Sequence, residues 1–279
     1  MRFLTRFAPS PTGYLHLGHA RSALLCAARA AAEGGEMLLR LEDIDRTRCR
    51  ADYAEAILED LRWLGLSWPE PVRRQSQHQA DYDAALAQLT AQGLVYPCFC
   101  SRSELHARLP AIGPDGPVYD GLCRSLSPAT RKARITAGDE HCLRLDHRAA
   151  MVLAGPLEWR DERTGTERAR PEFLGDVVLA GRENGTSYHL SVTVDDGLQG
   201  ITHVIRGEDL FHATHIHRLL QAVLDLPTPV YHHHPLILDP ATGGKLSKRD
   251  GSTALRHLRE QGLTPAEAAR LAGTGMAPA

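Results

Sequence analysis

The sequence predicts an α/β fold on a largely parallel sheet, and three stretches carry the prediction. Arg2 to Phe7 is a short apolar run able to form a strand, whereas Pro9 to Gly13 cannot continue one. Leu17 to Ala32 reads as an alanine-rich helix that Gly34-Gly35 brings to an end. Met37-Leu38-Leu39-Arg40-Leu41 is a second buried strand, and it runs straight into Glu42-Asp43-Ile44-Asp45. Open sheets of this kind bind ligands beyond the carboxyl ends of their strands, so the residues after Phe7 and after Leu41 face one crevice.

The first loop is the richest in chemistry. A strand–loop–helix presents free backbone N–H groups at the helix start, where a phosphate is favoured. Gly18, without a Cβ, allows close approach to that backbone. His16 and His19 lie three apart and share a helical face, which equally describes a surface pair or a metal pair. Glu42 stands nearest the end of the second strand and is the acidic candidate for binding. The acids after it suit the cap of the next helix, Asp52 to Leu64, whose apolar face is Ala54, Ile57, Leu58 and Leu61.

Gln77 to Gln92 is a further helix and Leu94-Val95-Tyr96 a short strand. The texture then changes. Cys98-Phe99-Cys100 is followed, across a loop rich in glycine and proline, by Tyr119 and Cys123. Three thiols in a loop with little core suit a structural zinc site or a nest of buried thiols, with Tyr119, solvent or His106 as fourth ligand. Cys26, Cys49 and Cys142 read as packing residues. Residues 101–170 are rich in turns and balanced in charge, an insertion between two halves of a sheet domain. Its most basic patch, Arg131-Lys132-Ala133-Arg134, suits a solvated face or a weak polyanion contact.

Strand-like order resumes in Phe173–Leu179, Tyr188–Asp196 and Ile201–Asp209, each core-like and each ending in polar residues. Tyr188 offers a hydroxyl on a rigid ring, and Arg206 a planar donor suited to a carboxylate. His212 to Leu224 is a helix, and Pro229-Val230-Tyr231 opens another strand. Adjacent strand residues point to opposite faces, so His232-His233-His234 is discounted as a shared metal site. Gly243 to Gly251 is a glycine-led loop with Lys245, Lys248 and Arg249 around Ser247, suited to closing on a phosphate chain.

The chain has 279 residues and a formal net charge of −2, which argues against a non-specific nucleic-acid coat protein but leaves room for a local RNA contact. No apolar run reaches the roughly 18 residues of a membrane span, and the first residues do not read as a signal peptide. Six cysteines without a secretory signal favour thiols or metal ligands in a reducing, cytoplasmic setting. No membrane partner and no second copy are expected.

His16-Leu17-Gly18-His19 together with Lys245-Leu246-Ser247-Lys248-Arg249 resembles the two signature motifs of class I aminoacyl-tRNA synthetases. Arg6-Phe7-Ala8-Pro9-Ser10-Pro11-Thr12-Gly13, Leu41 to Arg48 and Tyr188 to Asp196 resemble the glutamyl-tRNA synthetase catalytic domain, from Arg2 to about Leu255. The resemblance implies a Rossmann-like class I synthetase catalytic domain. Its first half would be residues 1–97, with a zinc-containing insertion at 98–172. The second half would be 173–251, followed by a short helical tail at 252–279 in place of an anticodon-binding domain. That tail resembles the family's short members, which attach glutamate to the queuosine of tRNA(Asp). So do Val192, where the full-length enzymes carry asparagine, and the set Cys98, Cys100, Tyr119 and Cys123, implied as zinc ligands. Arg249-Asp250-Gly251 departs toward the full-length enzymes.

By the same resemblance, Arg6, Ser10, Glu42, Tyr188 and Arg206 would hold L-glutamate. His16, Gly18 and His19 would line the ATP site, with Lys245 and Lys248 serving the phosphates and Mg2+ accompanying ATP. The implied activity is ATP-dependent activation of glutamate without tRNA, then transfer to tRNA(Asp). A truncated glutamyl-tRNA synthetase charging tRNA(Glu) and a non-catalytic glutamate- or ATP-binding relative are the competing readings.

Overall fold

A computed structural model describes residues 2–108, 111–114, 116–238 and 254–274. The first half runs β1 (Leu4–Phe7), α1 (Leu17–Ala32), β2 (Glu36–Leu41), α2 (Ala51–Trp63), β3 (Arg73–Arg74), α3 (Gln79–Ala91) and β4 (Val95–Cys98). After it come α4 (Arg102–Ala107), a two-stranded ribbon of β5 (Ile112–Gly113) and β6 (Gly116–Pro117), α5 (Pro128–Thr136), β7 (Cys142–Leu145) and α6 (His147–Ala154). A hairpin of β8 (Glu158–Asp161) and β9 (Gly165–Arg168) leads to β10 (Val178–Ala180), α7 (Tyr188–Leu198), β11 (His203–Gly207), α8 (Ala213–Val223) and β12 (Val230–His234). The described chain closes with α9 (Leu255–Glu260) and α10 (Pro265–Leu271).

β1, β2 and β3 form one parallel ladder, and β11 and β12 form another that continues into the β8–β9 hairpin. The ladders meet at Thr202. Its N–H donates to the Leu4 carbonyl at 2.9 Å, its Oγ1 accepts from the Leu4 N–H at 2.8 Å, and its own carbonyl accepts from Val230 at 2.9 Å. Across the seam the order is therefore β3, β2, β1, β11, β12, the doubly wound arrangement in which connections diverge between the two central strands and leave a crevice at their carboxyl ends. The hairpin falls inside residues 98–172, yet its first strand pairs with β12 through Asp161 and Tyr231.

Helices cover both faces. α1 and α2 pack on β1 and β2 around Leu15, Leu24, Leu39, Leu41, Ile57 and Leu61, and α9 and α10 seal that layer with Leu255, Ala268, Ala269 and Ala272. The opposite layer joins Tyr82, Leu89, Leu145, Leu179, Leu190, Ile216, Leu219 and Leu220. Each fully buried leucine of this kind contributes about 1.5–3 kcal/mol over its exposed state. Gly35 is where α1 turns back into the sheet: a Cβ there would lie 2.1 Å from the Phe3 carbonyl oxygen, so only glycine lets β2 enter beside β1.

One element differs in kind from expectation. Tyr188–Asp196 reads as a strand, rich in β-branched Val192, Thr193 and Val194, but it lies within the helix α7. Ser187 caps its start by accepting from Leu190 N, and residues 190–196 are all buried between α3, α8 and the sheet. A helix covered on every side has no polar face, so the apolar run carries no helical period to read.

Candidate active site

A cleft of ≈ 700 Å³ opens at the carboxyl ends of β1 and β11, under the first turn of α1. Arg6, Ser10, His16, Gly18, His19, Glu42, Tyr188 and Arg206, brought from six places in the sequence, all line it. Lys245 and Lys248 lie outside the described residues.

The helix start is closed by its own histidines. His16 is the N-cap in extended conformation, and its Nδ1 accepts from the Gly18 N–H at 3.1 Å; His19 Nδ1 in turn accepts from the His16 N–H at 3.1 Å. Two imidazoles thus do what serine and glutamate do in the usual capping box. Both accept at Nδ1, which leaves the ring proton of each neutral imidazole on Nε2. Gly18 has a nearer reason to be glycine than an approaching nucleotide: a Cβ would stand 2.9 Å from His16 Cε1.

The floor is an ion-pair network. Arg6 Nε donates to Asp196 at 2.9 Å, and Arg40 Nη1 to the same oxygen at 2.8 Å. Arg40 also reaches Glu42 at 3.2 Å, while Arg73 pairs with Asp195 at 2.8 Å and Asp81 at 2.6 Å. Gln75 and the Tyr82 hydroxyl donate to Asp195 as well. The Asp195-Asp196 pair of α7 therefore clamps β1, β2 and β3 in register below the cleft. Burial alone would raise the Asp196 carboxyl, but the guanidinium groups of Arg6 and Arg40 outweigh it and hold it below the ordinary carboxylate range. For Glu42 burial wins: its carboxyl sits above the ordinary value despite Arg40 and Arg6. A cation arriving beside Glu42 would reverse that penalty.

Arg206 is different. It is 5% exposed, and among the described residues it pairs with no carboxylate. Nε donates to His233 Nε2 at 3.1 Å, and Nη1 to the Tyr188 hydroxyl at 3.2 Å and toward His217 Nδ1 at 3.4 Å. Nη2 donates to the Leu210 carbonyl at 3.1 Å and to Thr214 Oγ1 at 2.7 Å. Five N–H groups meet five neutral acceptors, so the charge is solvated without being neutralised. Burial, and after it the Arg206 charge, pushes His217 well below the ordinary imidazole value and His233 down to about 3, which keeps both able to accept. Tyr188 accepts from Arg206, so its own hydroxyl proton remains to be donated into the cleft. Burial raises that phenol, which stays protonated.

Arg40, Asp195, Asp196, His217 and His233 were not picked out as site residues by the sequence. The double acid at the end of an apolar run was the available signal for Asp195 and Asp196. His233 was hidden inside a histidine triplet, whose members do diverge: His232 meets Glu162 at 3.0 Å, His233 meets Asp161 at 2.7 Å and His234 meets Ser22 at 2.8 Å.

A second cluster lies away from the cleft. The sulfurs of Cys98, Cys100 and Cys123 are all within 4.8 Å of one another, with Cys100 and Cys123 at 3.6 Å. A tetrahedral zinc with its sulfurs at ~2.3 Å needs sulfur–sulfur separations of about 3.8 Å. The Tyr119 hydroxyl stands 3.6 Å from Cys100 Sγ and accepts from the Cys123 N–H at 2.8 Å, in position for the fourth corner. The side chain of His106 is outside the described residues. Cys142 faces Cys98 across the β4–β7 pair, and its thiol is the leading cause holding Cys98 down to about 4, while burial pushes the neighbouring Cys100 up to about 12, so of these two thiols only Cys98 is favoured as a thiolate.

Residues 2–278 match the family described as tRNA synthetases class I (E and Q), catalytic domain. The chain belongs to that family. It is similar to the glutamyl-Q tRNA(Asp) synthetase of Rhodobacter capsulatus, with 50% identity over 97% of this chain and 99% of that protein. The glutamyl-Q tRNA(Asp) synthetase of Symbiobacterium thermophilum is 41% identical over 93% of this chain and 82% of its own length. Among solved structures, the glutamate-tRNA synthetase from Elizabethkingia anophelis superposes with a TM-score of 0.77 at 31% identity, covering 90% of this chain. The chain spans about half of that structure, 53% of its length. The doubly wound α/β sheet described above is thus the class I tRNA synthetase catalytic fold. Among the described residues no helix is long and apolar enough to cross a membrane.

Proposed function

We propose that this chain activates L-glutamate with ATP in the absence of tRNA and transfers it to the queuosine of tRNA(Asp). The observation that carries the glutamate reading is Arg206. A buried cation held only by neutral groups lacks its anion, and a carboxylate accepting from the Tyr188 hydroxyl, with the Arg206 charge behind it, supplies one. Glu42, which burial holds above the ordinary carboxylate value although Arg40 pairs with it, takes the substrate ammonium, and Arg6 and Ser10 complete the pocket. The ATP reading rests on the Nε2–H groups of His16 and His19 at the start of α1, with Lys245 and Lys248 assigned to the phosphates from sequence. The acceptor reading rests on the relatives that share nearly the whole chain.

The reaction is two displacements. An oxygen of the glutamate α-carboxylate bonds to the α-phosphorus of ATP, the bond to the β-phosphate breaks, and pyrophosphate leaves with its electron pair. A hydroxyl of the queuosine cyclopentenediol then attacks the carbonyl carbon of the adenylate, AMP leaves, and the hydroxyl proton is lost. No enzyme nucleophile is required. The chain holds the carboxylate and phosphate in line and stabilises charge as it moves to the leaving oxygens. Magnesium accompanies ATP as part of the substrate. Zinc on Cys98, Cys100, Tyr119 and Cys123 would tie the end of β4 to the loop before α5 and has no place in the reaction steps.

The test is ATP–pyrophosphate exchange with glutamate and no tRNA, which should proceed; absence of exchange sinks the reading. Lys248→Ala should slow it by ~3–4 kcal/mol of barrier while the fold is retained. Glutamate transfer should then require queuosine in tRNA(Asp). Equal transfer to unmodified tRNA(Asp), or transfer only to tRNA(Glu), would overturn the acceptor assignment.

A further inference from the structure

We infer that Asp161 and His233 form a positioning relay that holds the Arg206 charge behind the Tyr188 hydroxyl, beside the substrate carboxylate, by fixing one histidine tautomer; the inference rests on the glutamate reading above. Asp161 ends β8, the hairpin strand beside β12. Its Oδ1 accepts from the N–H groups of Arg163 at 2.8 Å and Thr164 at 3.2 Å. Its Oδ2 accepts from the His233 backbone N–H at 3.2 Å and from His233 Nδ1 at 2.7 Å. Every polar neighbour of this buried carboxylate is a donor, so His233 must carry its proton on Nδ1. That leaves Nε2 bare, and it is Nε2 that accepts from Arg206 Nε at 3.1 Å.

The chemical logic lies in what is kept away from Arg206. A carboxylate in direct contact would orient the guanidinium equally well, but it would also neutralise the charge and compete with the substrate. With an imidazole between them, Asp161 determines the orientation while Arg206 keeps its full charge for the cleft. The opposite tautomer would point an N–H at the guanidinium and push the fork out of line. His217 serves the other side in the same way. Its Nδ1 accepts from Arg206 Nη1, so its Nε2 proton is directed to His189 Nδ1 at 3.3 Å. Asp161 and His233 are absent from the cleft lining, so both act on the substrate through Arg206.

Nitrogen-15 spectra of histidine-labelled protein, with the His233 signals assigned by His233→Gln, test the relay directly. In the wild-type protein His233 should be the neutral Nδ1–H tautomer; an Nε2–H tautomer or an imidazolium overturns the proposal. Asp161→Asn cannot satisfy four donors, and should move His233 toward the Nε2–H form. Its KM for glutamate in pyrophosphate exchange should then rise roughly 10- to 100-fold, the range of a hydrogen bond to a charged group, with KM for ATP unchanged. His233→Gln, which keeps an acceptor near the Nε2 position, should retain far more glutamate affinity than His233→Leu. Equal rises in both KM values, or equal losses in Gln and Leu variants, would show a merely structural role and end the proposal. If wild-type protein shows no glutamate-dependent exchange, the glutamate reading fails, and the tautomer of His233 still decides the relay.

Discussion

Arg40 on β2 and Arg206 on β11 are both buried guanidinium groups, at 0% and 5% exposure, yet their surroundings are opposite. Arg40 meets Asp196, Glu42 and Asp195, at 2.8, 3.2 and 3.6 Å. Arg206 meets two imidazoles, two hydroxyls and a carbonyl. Arg40, whose charge already has its counter-ions and which does not line the cleft, belongs to the fold. Arg206, solvated by dipoles alone, is set for an anion that comes from outside. Arg6, paired with Asp196 yet lining the cleft, stands between the two. The contrast separates structural from substrate-facing arginine without reference to any ligand.

The largest effect that could break the contrast is on stability. Arg40→Leu leaves Asp196 and Glu42 with diminished compensation and should cost about 3–5 kcal/mol in urea unfolding. Arg206→Leu removes no counter-ion and should cost only about 1–2 kcal/mol for the acceptors it strands. The same Arg206 variant should lose roughly 30- to 1000-fold in kcat/KM for glutamate, which is ~2–4 kcal/mol of lost anion binding. Equal destabilisation by the two variants would erase the distinction.

Acid should separate the two regions next. Glu42 is raised above the ordinary carboxylate value, so it takes up a proton earlier than an ordinary carboxylate as pH falls, and protonated Glu42 no longer accepts an ammonium. Glutamate affinity by calorimetry should weaken as pH falls, beginning above the ordinary carboxylate range, and Glu42→Gln should flatten that slope at a lower affinity. Asp196 is depressed, so its contribution to stability is complete above its unfolded value of about 3.9 and is lost only as pH falls through the lower folded value. Binding should therefore fail before the network does. The smallest effect belongs to the cysteine cluster, remote from both arginines. Elemental analysis should find one zinc per chain, lost in Cys123→Ser, with pyrophosphate exchange changed by no more than a few-fold.

Much of the cleft was legible because its residues sit at the ends of recognisable elements. Leu17 to Ala32 is the helix expected, and Arg6, Ser10, His16, His19, Glu42 and Arg206 converge from the carboxyl ends of strands and the helix start that follows, whereas Tyr188 joins them from the first turn of α7. The helical state of Tyr188–Asp196 was not legible, because complete burial removes the amphipathic period that distinguishes helix from strand. Nor was the hairpin at Glu158–Arg168, whose charged residues read as part of a solvated insertion while Trp159 and Asp161 alternate inward. Asp161, His233 and His217 are ordinary residues until the strands that carry them are side by side.

The sequence by itself determined the alternation of strands and helices, the polar ends of the core segments and the set of groups able to meet a phosphate or a carboxylate. Local pattern is enough for that, since propensity, capping and turn chemistry act within a few residues of chain. Only the tertiary structure decided which arginine is neutralised and which is not. For Arg40 that distinction rests on Asp196 arriving from 156 residues away, and for Arg206 on acceptors 4 to 27 residues away that are all neutral once helix and strand are packed, and no local pattern records either.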